Sequence, residues 1–311
     1  MAVGGHPPRV LCKPLGQTGV ALPEVGLGAH LYRGGPEPLR GGFEAGALFI
    51  DTAESYGTEE VVGQALRGMR DRVFVATKVS PQHFRHADVL RAADTSLRRL
   101  GIDCIDLYQL HEPNDAVPIE ETMAAMETLV EAGKVRFIGV SNFSVEQMQR
   151  AQQALRKHRI VANQVRYNLV DRTIEDGLLA YCQTERITVI AYSPLARGLP
   201  FILDGDPKGI LTQVARLCGK PPVQVALNWC LCKAPVVVIP KGNSVEHILQ
   251  NCGASDWRLA PEHLRLLDEQ IQWRRRSGLE TALRRLTPRS LKTAVRVAVR
   301  CLPTGLRRRF N

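Results

Sequence analysis

Three polar side chains stand where apolar, strand-like segments end, and a fourth follows just beyond. Asp51 closes the apolar run in "FIDTAESYG" and Tyr56 follows it, while Lys78 and His111 end "VFVATK" and "CIDLYQLH". An unperturbed tyrosine titrates near pH ~10, too high for acid chemistry at neutral pH. A nearby ammonium lowers the pKa of a phenol, and a carboxylate keeps that ammonium charged and in place. We therefore expect Tyr56 to be a general acid whose pKa is lowered by Lys78 beside Asp51.

His111 can donate a hydrogen bond to the oxygen that Tyr56 protonates. A proton donor, its charge partner and an orienting donor around one oxygen are suited to carbonyl reduction. Since no side chain delivers hydride, an organic cofactor must bind beside them. Taken singly, each residue also has a structural interpretation, because Asp51 could cap a turn, Lys78 could be a solvated strand end and His111 could be a packing histidine.

The elements that would position these residues alternate regularly along the chain. Val89, Ala93 and Leu97 recur at helical spacing, which indicates an amphipathic helix. Ser144 and Gln147 have the spacing of a capping box at the start of another helix. The predicted strands are residues 24–30, 47–51, 73–78, 104–111, 137–141, 161–165, 188–193 and 236–240. Eight strand–helix units in a chain of 311 residues predict an α/β fold, a closed (β/α)8 TIM barrel.

Two further segments refine this architecture. Residues 15–22, "LGQTGVAL", read as an N-terminal β-hairpin that could cover the bottom of the barrel. The competing doubly wound fold requires GxGxxG after its first strand, whereas "GLGAHL" lacks the third glycine and opens no helix. The barrel is therefore preferred.

In such a barrel, chemistry lies at the C-terminal ends of the strands. Polar residues also occupy the ends of the later predicted strands: Ser141, Asn142, Gln164, Tyr192 and Lys241. Their arrival at the same rim as Asp51 and Lys78 predicts one active site rather than scattered surface residues.

These segments, in this order, resemble the aldo-keto reductase superfamily. The motifs that carry the resemblance are "FIDTAESYG", "VFVATKV", "DLYQLH", "GVSNFS", "NQVRYN", "AYSPLARG" and "VVVIPKGNS", and they span about residues 15–251. The resemblance implies a (β/α)8 barrel that binds NADPH in an extended pose and reduces aldehydes and ketones without a metal. It makes Tyr56 the general acid, Asp51 and Lys78 its tuning pair, and His111 the carbonyl-orienting residue.

The resemblance also implies cofactor contacts. Ser141, Asn142 and Gln164 would bind the nicotinamide carboxamide, and Tyr192 would stack on the ring. The other implied contacts are Ser193 and Leu195 along the pyrophosphate, Lys241, Asn243, Ser244 and His247 near the 2′-phosphate, and Asn251 at adenine.

Four positions depart from the family pattern. Gly242 replaces the serine that usually follows the lysine, here Lys241, and His247 replaces an arginine. Arginine is a permanent bidentate clamp for phosphate, whereas histidine is neutral for much of the time at pH ~7. We therefore expect NADPH to be preferred less strictly, with NADH also accepted. His30 and Glu112 replace residues that are commonly aromatic near the substrate, so the identity of the carbonyl substrate stays open.

Composition and charge bound the remaining possibilities. The net charge of +10 arises almost wholly after residue 273, where there are twelve Lys and Arg and one acid, so the first 273 residues sum to −1. We therefore expect no nucleic-acid partner for the whole protein. Eight cysteines without metal-ligand spacing, no long apolar span and no secretion signal predict a metal-free cytoplasmic protein, and the family makes a monomer the default.

The division expected is a barrel over 1–277 and a basic tail over 278–311. Leu291, Val295 and Ala298 recur at helical spacing beside a row of Lys292 and Arg296, which describes a basic amphipathic helix. The possible roles of this helix are attachment to an anionic membrane surface, to a partner protein or to nucleic acid, a solvated extension, and a cover over the cofactor rim. Two functions follow: an NADPH-dependent carbonyl reductase, or an NADP(H)-sensing regulatory subunit attached to a membrane or protein partner through the tail.

Overall fold

The chain begins with a hairpin and continues into one large parallel sheet. The computed structural model describes residues 9–196 and 198–273. The hairpin strands are β1 (Cys12–Pro14) and β2 (Ala21–Pro23), paired antiparallel. The sheet strands are β3 (Leu27–Gly28), β4 (Phe49–Asp51), β5 (Phe74–Val79), β6 (Ile105–Leu110), β7 (Val135–Ser141), β8 (Ile160–Arg166), β9 (Thr188–Tyr192) and β10 (Val236–Val238).

The eight strands lie in chain order, each parallel to the next, and the sheet closes on itself. At the closing seam, the Gly26 N–H donates to the Val238 carbonyl at 2.8 Å, and the Val238 N–H donates to the Glu24 carbonyl at 2.8 Å. Val25 and Val238 form a parallel bridge there. The predicted (β/α)8 barrel is confirmed.

Amphipathic helices surround the barrel. They are α1 (Pro36–Glu44), α2 (Glu59–Leu66), α3 (His86–Leu100), α4 (Ile119–Glu131), α5 (Val145–Ala154), α6 (Leu178–Thr184), α7 (Leu199–Leu203), α8 (Ile210–Cys218), α9 (Pro222–Leu231), α10 (Val245–Cys252) and α11 (Pro261–Gln270). The predicted face of α3, with Val89, Ala93 and Leu97, is buried. The capping box of Ser144 and Gln147 at the start of α5 is present. In the described part of the chain, no helix combines the length and apolarity needed to cross a membrane.

The lower part of the barrel interior is apolar, and the hairpin closes it from below. Leu15 and Leu22 are fully buried and pack in one cluster with Phe49, Phe74 and Val161, which stand at or near the N-terminal ends of their strands. The Thr188 hydroxyl donates to the Pro14 carbonyl at 3.0 Å, which ties the hairpin to β9. The hairpin therefore covers the bottom of the barrel, as predicted.

Several predicted boundaries are wrong by a few residues. The hairpin prediction, 15–22, holds mainly the connection between β1 and β2, because Gly16 and Gly19 take positive φ values of 52° and 76° and turn the chain. The predicted strands 24–30 and 236–240 shorten to β3 and β10, so His30 lies in a loop. The predicted tail, 278–311, lies outside the described residues, and the domain division stays a prediction.

Candidate active site

A buried ion pair joins the ends of β4 and β5. Asp51 pairs with Ala76 in the sheet, so Lys78 stands two residues further along β5, on the same face. The Lys78 ammonium donates to Asp51 Oδ1 at 2.6 Å and to the Thr52 carbonyl at 2.7 Å. Lys78 is 0% exposed, and a buried ammonium requires such partners.

The second carboxylate oxygen of Asp51 is held from the barrel interior. Gln109 Nε2 donates to Asp51 Oδ2 at 3.2 Å, and Gln164 Nε2 donates to it at 2.7 Å. Gln164 also donates to Gln109 Oε1 at 3.3 Å. Sequence reasoning missed Gln109. Its signal was a lone amide inside the apolar run "CIDLYQLH", two residues before His111 and beside Lys78 in the sheet.

Tyr56 reaches this ion pair from a short 3-10 turn, Glu54–Tyr56, which ends at Gly57 with φ 68°. The Lys78 ammonium donates to the Tyr56 hydroxyl at 3.4 Å, and His111 Nε2 lies 3.3 Å from the same hydroxyl. The His30 ring packs edge-on against Tyr56, with ring centroids 4.8 Å apart. The structure thus brings Lys78 and His111 to the Tyr56 hydroxyl, with Asp51 behind Lys78.

The pKa of Tyr56 moves in the direction opposite to that predicted. Burial raises the pKa of Tyr56, the Lys78 charge lowers it, and the Asp51 charge raises it again, with a net increase. The prediction of a lowered pKa was wrong because it counted the ammonium but not the loss of water or the carboxylate behind it. For Lys78, burial opposes the charged form, but Asp51 and Tyr56 outweigh it and raise the pKa. Tyr56 therefore carries its proton at neutral pH, and Lys78 its charge.

Glu54 ties the turn of Tyr56 to the loop that follows Lys78. The Glu54 carboxylate accepts a short hydrogen bond from the Ser80 N–H, and His83 Nδ1 lies 3.1 Å from Glu54 Oε1. The Glu54 side chain is 9% exposed and that of His83 is 51% exposed. Sequence reasoning did not single out Glu54, because nothing in "ESY" shows which backbone group its carboxylate meets.

The polar residues at the ends of β7, β8 and β9 bond to one another. Ser141 Oγ donates to the Gln164 carbonyl at 2.9 Å. Asn142, at φ 62°, donates through Nδ2 to Ser141 Oγ at 3.0 Å and to the His111 carbonyl at 3.2 Å. The Tyr192 hydroxyl donates to Asn142 Oδ1 at 3.0 Å. These four predicted residues therefore form one connected group that also touches the backbone of His111.

Two further predicted residues lie just after β9. Ser193 has a φ of 48°, and its carbonyl accepts a hydrogen bond from Asn168 Nδ2 at 3.0 Å. Leu195 is partly buried against the apolar core. The amide of Asn168 thus fixes the start of this loop at the rim.

The remaining predicted residues cluster where β10 leads into α10. Lys241 is exposed, and its ammonium donates to the Leu31 carbonyl at 3.3 Å. Asn243 Oδ1 accepts from the Arg33 N–H at 3.2 Å, which joins this cluster to the loop after β3.

The first turn of α10 contributes the rest of this cluster. Ser244 caps the helix, since its hydroxyl accepts from the His247 N–H at 3.3 Å. Asn251 is buried on the same helix. A Cβ on Gly242 would stand 2.6 Å from the Ile248 side chain, which explains why this chain has no room for the family's usual serine. An exposed ammonium beside a helix N-terminus is a donor set suited to a phosphate.

Comparisons with known proteins point to one family. Residues 37–272 match the sequence model described as "Aldo/keto reductase family". Methylglyoxal reductase YeaE of Escherichia coli K12 is 37% identical over 260 residues, covering 80% of this chain and 91% of that protein. An aldo/keto reductase from Klebsiella pneumoniae, crystallised with NADP and acetate, has 39% identity and a TM-score of 0.78, covering 86% of this chain and 98% of that one. Because the match spans most of the barrel in sequence and in structure, the chain belongs to the aldo/keto reductase family of oxidoreductases.

Proposed function

We propose that this protein reduces aldehydes and ketones to alcohols with NADPH, using Tyr56 as the general acid. The observation that carries the proposal is the position of the Tyr56 hydroxyl, 3.4 Å from the Lys78 ammonium and 3.3 Å from His111 Nε2. A carbonyl oxygen that approaches this hydroxyl meets a proton donor and an orienting ring at once.

Each residue has a separate part in the reaction. NADPH, when bound, supplies the hydride that adds to the carbonyl carbon. Tyr56 donates its proton to the carbonyl oxygen as that bond forms, which gives the alcohol. Lys78 stabilises the phenolate that Tyr56 leaves behind, and Asp51 holds Lys78 in place. His111 donates to the same oxygen and fixes its direction before the proton moves.

The cofactor residues fit the proposed role by their chemistry. Ser141, Asn142 and Gln164 would bind the carboxamide, for which the amides offer both donors and acceptors. Tyr192, whose hydroxyl is held by Asn142, would present its ring to the nicotinamide. The Klebsiella pneumoniae relative was crystallised in complex with NADP, which supports this class of cofactor.

The phosphate end is proposed at α10. Lys241 would pair with the 2′-phosphate, with Asn243, Ser244 and the first turn of α10 providing neutral donors, and Asn251 would touch adenine. Ser193 and Leu195 would lie along the pyrophosphate. His247 in place of an arginine predicts a modest preference for NADPH over NADH.

Methylglyoxal is the substrate to test first, because the Escherichia coli relative is named for its reduction. Purified full-length protein should oxidise NADPH when methylglyoxal or 4-nitrobenzaldehyde is added. Tyr56→Phe removes only the hydroxyl and should lower kcat by about 10²–10⁴-fold, while NADPH binding, measured by quenching of protein fluorescence, stays unchanged. Because burial raises the pKa of Tyr56, the acid form persists as pH rises, so kcat should not fall until above pH ~10. A Tyr56→Phe enzyme as active as the parent would remove Tyr56 from the mechanism.

A second function is suggested by the charge of the tail. The +11 carried by residues 274–311 would favour an anionic surface, so the chain could be an NADP(H)-sensing subunit held there by its tail. This candidate predicts NADPH binding without turnover on a broad carbonyl panel. Co-sedimentation with vesicles containing phosphatidylserine, comparing the full chain with a chain ending at Ser277, tests the attachment; equal sedimentation of both would contradict it.

A further inference from the structure

A cavity of about 270 Å³ opens at the end of the barrel opposite Tyr56. It lies between β7, β8, α5 and α6, and the turn of the N-terminal hairpin forms one wall. Strand β8 supplies Ile160 to the cavity and, four residues later, Gln164 to Asp51. Since a strand advances about 3.3 Å per residue, roughly 13 Å of strand separates the cavity from the reaction site.

The inner wall of this basal cavity is apolar. Phe137, Ile138, Met148 and Ile187 line it, together with the ring of Tyr181. Small-molecule sites are mostly apolar with a few placed polar groups, and this volume corresponds to a small ligand. The wall therefore suits a flat or compact hydrocarbon body.

The rim of the cavity is cationic. Four basic side chains line it, Arg136, Lys157, Arg159 and Arg186, against one acid, Glu185. Arg136 forms an ion pair with Asp106 at 2.6 Å, and Lys157 forms one with Glu131 at 2.6 Å.

The other two basic side chains, both arginines, form no ion pair with any described residue. Within residues 9–196 and 198–273, neither Arg159 nor Arg186 has a carboxylate within the 4.0 Å that defines an ion pair. Arg186 follows the end of α6 with φ 53°, a position usually taken by glycine or asparagine. The chain thus has an arginine where the backbone favours other residues, and its side chain lines the cavity.

We propose that the basal cavity binds a small organic carboxylate. Arg159 and Arg186 hold the carboxylate, and the apolar wall contacts its hydrocarbon body. A guanidinium matches a carboxylate with two parallel hydrogen bonds. This site is distinct from the one proposed above for carbonyl reduction, because neither Tyr56 nor any of the proposed cofactor residues lines the cavity.

The probe is 2-naphthoate, added to full-length protein labelled with ¹³C at the methionine methyl groups. Met148 lines the cavity, whereas Met69 lies in the core beyond α2 and is an internal reference. The Met148 resonance, assigned with Met148→Leu, should shift and saturate while that of Met69 stays unchanged. Saturating NADPH should leave the titration unaltered, which separates this site from the catalytic one.

The charge requirement is tested with the double variant Arg159→Gln and Arg186→Gln. It should weaken 2-naphthoate binding by at least about tenfold. The matched control is Arg91→Gln with Arg98→Gln, two exposed arginines on α3, which should bind as the parent does. The neutral analogue 2-naphthamide should bind about tenfold more weakly than 2-naphthoate.

Three results would overturn the proposal. One is a Met148 resonance that does not move with 2-naphthoate. Another is equal affinity in the parent and the Arg159 and Arg186 double variant. The last is equal affinity for 2-naphthoate and 2-naphthamide, which would show that the cavity binds the hydrocarbon body without recognising the negative charge.

Discussion

The two parts of the catalytic rim hold charge in different ways. At β4 and β5, Asp51 and Lys78 are buried, and their hydrogen bonds come from the barrel interior. At β10 and α10, Lys241 is exposed and has one hydrogen bond of 3.3 Å to a carbonyl. Buried charges interact strongly and cannot be left unpaired, whereas exposed charges are screened by water and salt. In the proposed reaction, the part at β4 and β5, the reaction part, would be fixed before substrate arrives. The part at β10 and α10, the proposed phosphate part, would rearrange when its ligand binds.

The largest effect should come from breaking the buried pair. Lys78→Met keeps the length of the side chain but leaves Asp51 buried without its cation. We expect kcat to fall by about 10³-fold and the free energy of unfolding to fall by about 3–5 kcal/mol. Urea unfolding and steady-state kinetics measure the two effects.

The matched control also removes the Asp51 carboxylate, which Lys78→Met leaves without its cation. In Lys78→Met with Asp51→Leu, the free energy of unfolding should recover by several kcal/mol, roughly to the parent value, whereas activity should not return. If the double variant were as unstable as the single one, the pair would not be the source of the instability.

A smaller loss of kcat is expected for Glu54, which positions Tyr56 without touching the reacting oxygen. Glu54→Gln weakens the bond that ties the Tyr56 turn to Ser80, because a neutral amide accepts less strongly than a carboxylate. We expect kcat to fall about tenfold with little change in KM for the carbonyl, since small displacements of a reacting group are costly. Glu60→Gln, an exposed residue in the first turn of α2, is the control; an equal loss there would argue against positioning by Glu54.

The exposed part should respond in binding rather than in turnover. Lys241→Met should raise KM for NADPH about tenfold, the loss of one charge-assisted contact, and leave kcat near the parent value. It should also flatten the rise of KM with salt. Lys208→Met, an exposed lysine bonded to Gln270, should show neither change, and a fall in kcat for Lys241→Met would contradict this division of labour.

The smallest effect should come from restoring the family residue at position 247. His247→Arg adds a permanent charge at the first turn of α10 and should lower KM for NADPH by a few fold, roughly 1 kcal/mol at an exposed site. KM for NADH should not change, because NADH lacks the 2′-phosphate. His247→Gln controls for size, and an equal gain with NADH would show that the phosphate is not what this residue meets.

Much of the barrel could be predicted because its signals are local. Strand-ending polar residues such as Asp51 and Lys78 converge once the strands are known to be parallel, and capping at Ser144 needs only its neighbour Gln147. The strand limits were less accurate, since the length of β3 depends on how it closes against β10. A two-residue strand has no periodicity to detect.

The rest of the site depends on contacts between distant segments. Gln109 was missed because its partner Asp51 lies 58 positions away, and Glu54 was missed because it bonds a backbone N–H 26 positions away. The predicted direction of the Tyr56 pKa shift was wrong for a related reason, since the loss of water around a side chain depends on the whole folded structure. Long-range burial is a property that a linear pattern does not contain.

The seam between β3 and β10 has a consequence for how the protein is made. Gly26 and Val238, hydrogen-bonded across the seam, are 212 positions apart in the chain. At a synthesis rate of about 5–20 residues per second, the partner of β3 emerges roughly 10–40 seconds later. Until then the nascent barrel is an open sheet with an unpaired edge at β3, a hazard for aggregation. We expect the segment around β10 to set the step at which the chain becomes resistant to proteases.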